Sequence, residues 1–335
     1  MKRLISLLLL LFFASQVYAK ERAVEIINEF KLNVPESAKH VRLWIPYPMS
    51  DENQDIYDVH IIGNFSYSSI YREAKYGNTI LYAEWKEPVS ERILKYTFKV
   101  KRKEQITRNF PKKELNFSRK EMEKYLRPAK FLPIDGKVKD YAEKITEDKT
   151  TVLQKATAIY DWIVENMHRD PNVKGCGFGE VERLLETRGG KCADIHSVFV
   201  ALARASGIPA REVFGIRIPK GKEGDMTKAQ HCWAEFYLPG YGWVVVDPAD
   251  VRKAILEQKL TLDQARPLRE YYFGAVDENR IAFGTGRDII LNPEQKGEPL
   301  NYFMYPYAEV DGKPLNEDLY GFNIGYKISF RELDQ

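Results

Sequence analysis

The chain has 335 residues, 44% of them hydrophobic and 30% charged, with 51 Lys and Arg against 48 Asp and Glu. These values describe a soluble globular protein with room for two domains and exclude a disordered chain. A net charge of +3 leaves no basic excess for a nucleic-acid partner, and 20 tyrosines within 13% aromatic residues favour strand-rich architecture.

Lys2 and Arg3, an apolar run over 4–14 and the small-residue pattern Val17-Tyr18-Ala19 read as a secretory leader over 1–19, cut after Ala19. The run is shorter than the roughly 20 residues a bilayer span needs, with a retained anchor as the alternative. No later segment is apolar enough for a stable membrane span, so the mature chain is expected to be exported, periplasmic or extracellular. Removing Lys2 and Arg3 leaves it almost neutral.

Residues 20–128 read as β. Residues 24–30 alternate in part, Val41–Pro46 more cleanly, and 80–85 and 94–100 follow, with Tyr76-Gly77-Asn78 as a turn. Short strands separated by turns imply an antiparallel β-sandwich. His40 and His60 are isolated and read as ordinary surface or strand residues. Residues 101–133, marked by Pro111, Pro128 and Pro133, read as a connector with one short helix.

Residues 129–255 change period. Val138, Ala142 and Ile145 share one helical face; Val152, Ala156, Ile159, Tyr160 and Ile163 share another. A glycine-rich loop follows over 175–179, then an amphipathic segment over 181–185, then Gly189-Gly190. The spacing predicts a helix over 192–206, with Ile195, Phe199, Leu202 and Ala203 inward, stopped by Gly207 and Pro209. Strands are predicted over 210–218, 231–238 and 243–247. Residues 256–335, rich in Tyr, Phe, Gly and Pro, read as a strand-rich extension packing on this core.

Three segments carry chemistry. Cys192 opens a helix just after two glycines, which permit an abrupt turn and leave space for an acyl group. A helix N-terminus favours a thiolate and offers unpaired N–H groups to an oxyanion. Thirty-nine residues later His231 begins a strand; sixteen after that, Asp247 ends the next. A carboxylate there can accept from the imidazole and fix its tautomer. Taken singly, each has a plainer reading: a buried small cysteine, a structural histidine, a turn aspartate before proline. The ordered set is the specific feature.

Alternation places His231, Trp233 and Glu235 on one face and Cys232, Ala234 and Phe236 on the other, so Cys232 points away from His231. Three cysteines in an oxidising compartment leave at least one thiol free; a Cys176–Cys232 disulfide and three reduced thiols both remain open. Cys192 and His196, four apart, resemble half a zinc site, but completing it with Cys176 and His231 would occupy the nucleophile. His196 therefore reads as a core residue or a support behind the site, and neither metal nor cofactor is expected. His168 reads as a solvated or capping residue. Trp162 reads as core packing, and Trp233 and Trp243 as cleft walls or core.

The run Cys192-Ala193-Asp194, continuing through residues 199–211, resembles the core helix of the transglutaminase-like superfamily. Residues 230–235 and 243–248 are similar to its histidine and aspartate strands. Residues 135–255 carry this resemblance; Gly286-Arg287-Asp288 and Tyr305-Pro306-Tyr307 look, more loosely, like extensions of bacterial exported members. The resemblance implies an α+β fold with a papain-like transglutaminase core, behind the N-terminal sandwich and ahead of the C-terminal extension. It further implies a Cys192–His231–Asp247 triad acting on amide bonds by acyl transfer to an amine or water. The expected partner is a peptide or protein, with the cell envelope as one source. The alternative is a non-catalytic envelope binding or assembly module with an unused triad.

Overall fold

The computed structural model describes residues 19–334; the leader reading, apart from Ala19, lies outside them. Alternating burial along Glu21–Lys31 turns Val24, Ile26 and Phe30 inward. Ile26 stands opposite Phe98 on one side and Phe330 on the other. Burying side chains of this size contributes about 1.5–3 kcal/mol each. The strands form two five-stranded antiparallel sheets. One runs Glu223–Asp225, Tyr326–Glu332, Glu21–Lys31, Ile93–Lys103, Gln54–Gly63; the other runs Lys313–Pro314, Tyr307–Val310, Val41–Pro46, Thr79–Trp85, Tyr67–Arg72. Thr79–Trp85 is buried throughout because Ile289, Leu291 and Phe303 cover the face of Trp44, Ile80 and Tyr82 that a sandwich leaves wet. The last 80 residues thus divide: Tyr302, Met304 and Tyr305 pack on the helical core, while Tyr307–Val310 and Tyr326–Glu332 complete the sandwich sheets.

Among the described residues six α-helices follow Ile93–Lys103: α1 (Gly136–Thr146), α2 (Val152–Asn166), α3 (Val181–Thr187), α4 (Cys192–Ala205), α5 (Pro248–Gln258) and α6 (Arg266–Tyr272). At the start of α2 the Thr151 N–H donates to the Gln154 side-chain oxygen and the Gln154 N–H to the Thr151 hydroxyl, a reciprocal cap. Every residue of α4 from Cys192 to Arg204 is buried, as expected of a helix enclosed on all sides. It ends at Gly207, whose φ of +79° suits only glycine without strain. Below α4 lies a four-stranded sheet ordered Gly242–Val246, Gln230–Leu238, Ala210–Arg217, Arg280–Thr285. At Gly215 the register with the last strand shifts, and a Cβ would run into the Ile281 carbonyl. This α+β arrangement sets the start of α4 beside the ends of two strands. Among the described residues no helix is long and apolar enough to cross a membrane.

Candidate active site

Asp194 fixes the start of α4. Its buried carboxylate accepts from Lys191 N–H at 3.0 Å and from Gly179 N–H at 2.8 Å, pinning the glycine-rich loop to the helix. A Cβ at Gly177 or Gly190 would collide with this carboxylate. The glycines therefore make room for Asp194, where the sequence suggested room for substrate. Arg287, fully buried against Glu212 at 2.9 Å, ties the same loop down by donating to Ser197, Asn301 and the Phe178 carbonyl.

Cys192 is the first residue of α4 and is 2% exposed. All three cysteines are free thiols. Cys176 donates to the Gln230 carbonyl at 3.0 Å. The thiols of Cys176 and then Cys232 lie against Cys192, and with His231 they hold it well below the usual thiol range despite burial. Cys176 and Cys232 are pushed well up, Cys176 first by its bond to Cys192 and Cys232 first by burial. One negative charge among three thiols thus settles at the helix N-terminus, where the macrodipole favours it.

His231 Nε2 lies 3.1 Å from Asp247 Oδ2, which leaves Nδ1 as the ring's other proton-exchanging atom. Burial and the Arg217 charge push the imidazole down. Asp250, Asp247 and Cys192 outweigh them, and its pKa is raised. Asp247 also accepts from His196 Nε2 at 3.1 Å, from the Asp250 N–H at 2.8 Å as the cap of α5, and from Arg280. Burial alone would raise its pKa; Arg280, His196 and His231 instead hold it well below the carboxylate range. His196 Nδ1 reaches Cys232 Sγ at 3.4 Å, so His196 stands between the sheet and the carboxylate.

Asp247, Asp250 and Asp277 surround Arg280, with Arg280 bonds of 2.8 Å to Asp250 and 3.1 Å to Asp277; Arg217 pairs with Asp250. Three carboxylates against two guanidiniums leave one negative charge beside His231, which favours its protonated form. His231, Asp247 and Asp250 also bring ligand atoms within 4.8 Å of one another. Both guanidiniums occupy those oxygens, so a metal cation would have to displace two fixed positive charges, and the cluster does not fit one.

The structure brings Cys192 and His231 to one cleft, with Asp247 fully buried behind His231 and bonded to it. Cys192 and His231 line a cavity of about 560 Å³, while two roomier grooves of about 830 and 860 Å³ hold none of the three. Trp162 stacks with Tyr141 and Arg188, as core packing. Trp233 is buried beneath the sheet against Val213, Val245 and Val276. Arg217, Asp250 and Arg280 escaped the sequence. Asp250 is one helical turn beyond Asp247, a spacing that could have flagged it; Arg280 arrives on a distant strand with no motif around it.

A helix-borne thiol facing a histidine–aspartate pair on an antiparallel sheet defines the papain-like class of fold. The transglutaminase-like superfamily profile matches residues 139–248. A protein of Haemophilus influenzae described as uncharacterized is 38% identical over 321 residues, covering 87% of each chain. A Pseudomonas aeruginosa protein-glutamine gamma-glutamyltransferase is 35% identical over 75 residues, 19% of this chain and 10% of that one. The crystal structure of a Cytophaga hutchinsonii protein described as a candidate cysteine protease aligns with a TM-score of 0.56 at 18% identity, covering 93% of this chain and 99% of that one. The chain belongs to the transglutaminase-like superfamily.

Proposed function

We propose that the protein is an exported cysteine enzyme that cleaves or transfers acyl groups at amide bonds of a peptide or protein, with Cys192 as nucleophile, His231 as acid and base, and Asp247 as orienter. The division into a sandwich (20–128), a catalytic core (129–255) and an extension (256–335) belongs to the same proposal. The observation that carries it is geometric: Cys192 at the start of α4 shares one cleft with His231, whose Nε2 lies 3.1 Å from Asp247.

The chemistry follows from that arrangement. The Cys192 thiolate attacks the amide carbonyl, and the developing oxyanion meets the Cys192 N–H, which has no acceptor within the helix. The C–N bond breaks as the imidazolium of His231 protonates the leaving amine, giving a thioester. Water or a second amine then loses a proton to His231, attacks the thioester carbonyl and releases the thiolate. Hydrolysis and transamidation share every step up to that attack; the glutamyltransferase relative supports including the second.

Replacing Cys192 by Ala removes one sulfur atom from the cleft floor and leaves the packing of α4 in place. Turnover of envelope-derived peptides and proteins should fall by at least about 10⁴-fold, with unchanged circular dichroism. Substantial turnover by the Cys192→Ala protein rules the assignment out.

A further inference from the structure

The walls of the Cys192 cleft carry an unbalanced charge. Arg169, Lys191, Lys220, Lys228 and Lys253 line it, drawn from the segment after α2, the residue preceding α4, the loop following Ala210–Arg217, and α5. Asp277 is the one carboxylate among the lining residues, and Arg280 and Arg217 already hold it. Among the described residues, the charged side-chain groups of Arg169, Lys191, Lys220 and Lys228 have no carboxylate within 4.0 Å, so nothing in the cleft wall neutralises them. Lys253 meets only Glu257, one turn along α5, at 3.9 Å. A chain with 51 basic and 48 acidic residues has no general surplus to explain five cations around one cleft.

We propose that the cleft takes an acidic acyl donor: a peptide segment with carboxylates flanking the reacting amide, drawn in by the five cations. This rests on the cysteine-enzyme reading above and adds the class of substrate. Charges of one sign in a walled cleft focus the field, raise the local concentration of counter-charged ligands and lose this advantage as salt rises. Three of the five cations, Arg169, Lys191 and Lys253, are half-buried, so screening there is weaker than on an open surface.

Two alkylating reagents of similar size read the field at the nucleophile itself. Iodoacetate is anionic and iodoacetamide neutral, so their rate ratio at Cys192, followed by peptide mass spectrometry, cancels changes in thiol nucleophilicity. The exposed pair Lys220→Glu/Lys228→Glu should lower the iodoacetate-to-iodoacetamide ratio about tenfold. Raising salt from about 20 mM to about 500 mM should lower it in the unmodified protein as well, with no substitution involved. In the unmodified protein, a glutamate-rich peptide amide should protect Cys192 at low salt, and a lysine-rich one of equal length should not. A ratio that moves with neither charge reversal nor salt, or equal protection by both peptides, overturns the proposal. If Cys192 reacts with both reagents no faster than a free cysteine, the cysteine-enzyme reading fails, and the substrate assignment falls with it.

Discussion

The sandwich and the helical core both bury an arginine almost completely, and they treat it in opposite ways. Arg102, on the sandwich strand Ile93–Lys103, is 1% exposed, and its one side-chain partner is Gln105 Oε1 at 3.5 Å. Burial brings its pKa down to about 10. Arg280, on the core strand Arg280–Thr285, is fully buried, yet Asp247, Asp250 and Asp277 overcome the burial penalty and raise its pKa well above the usual value. Around Arg102 lie the polar side chains of Gln54, Gln105 and Glu235, with no carboxylate in ion-pair contact among the described residues. Around Arg280 the core gathers three carboxylates, a second arginine and two histidines within bonding distance of the cleft floor. A buried ionic cluster is weak ground for stability, since apolar residues of the same volume often serve as well or better. The cluster sits directly behind His231, which it bonds through Asp247, where the proposed chemistry would use it.

Arg280→Met tests this contrast with the largest expected effect. It leaves the buried Asp247 and Asp250 and the half-buried Asp277 short of their principal cation and should destabilise the fold by about 3–5 kcal/mol, read from the denaturation midpoint in urea. A smaller effect is expected from acid. Asp247, Asp250 and Asp277 all have folded pKa values below those of the unfolded chain. Their contribution is therefore complete above the unfolded pKa of about 4 and is lost as pH falls through the lower folded values. His231 has the opposite sign: its raised pKa contributes below about 6.5, and that contribution fades as pH rises through the folded value. The midpoint should hold between pH of about 5 and about 6.5, then drop by an equivalent of about 2–3 kcal/mol by pH of about 2. Arg102→Met should change least, within about 1 kcal/mol and toward greater stability, because it removes a buried charge with no carboxylate partner. Equal losses from the two arginine substitutions would erase the distinction between the regions.

Much of the core was legible in the sequence because local rules agree there. Gly189-Gly190 before an apolar helix, Gly207 after it, and two alternating strands identify α4 and its sheet. They carry Cys192, His231 and Asp247, and the family resemblance depends on the same local patterns. What tertiary contact decides was not legible. Strand alternation was expected to turn Cys232 away from His231; it does set Cys232 opposite Trp233, but α4 covers that face, so Cys232 meets Cys192 and His196 there, and His231 meets Cys192 too. Arg280 lies 33 residues beyond Asp247, with no periodicity linking them, and reaches it only because Arg280–Thr285 adds an edge to the sheet. The closing strand Tyr326–Glu332 pairs with Glu21–Lys31 across nearly the whole chain, a partnership no local signal encodes.

The three thiols allow the central claim to be tested within one molecule. Each can be followed separately by peptide mass spectrometry after alkylation with iodoacetamide across a pH series. With its pKa depressed beside His231 and at the N-terminus of α4, Cys192 should label at a rate that stays high well below the ordinary thiol pKa of about 8.5. Cys176 and Cys232, whose pKa values are raised, should remain unreactive over the same range. A Cys192 rate that climbs only through pH of about 8.5, in step with an unactivated thiol, would contradict the account.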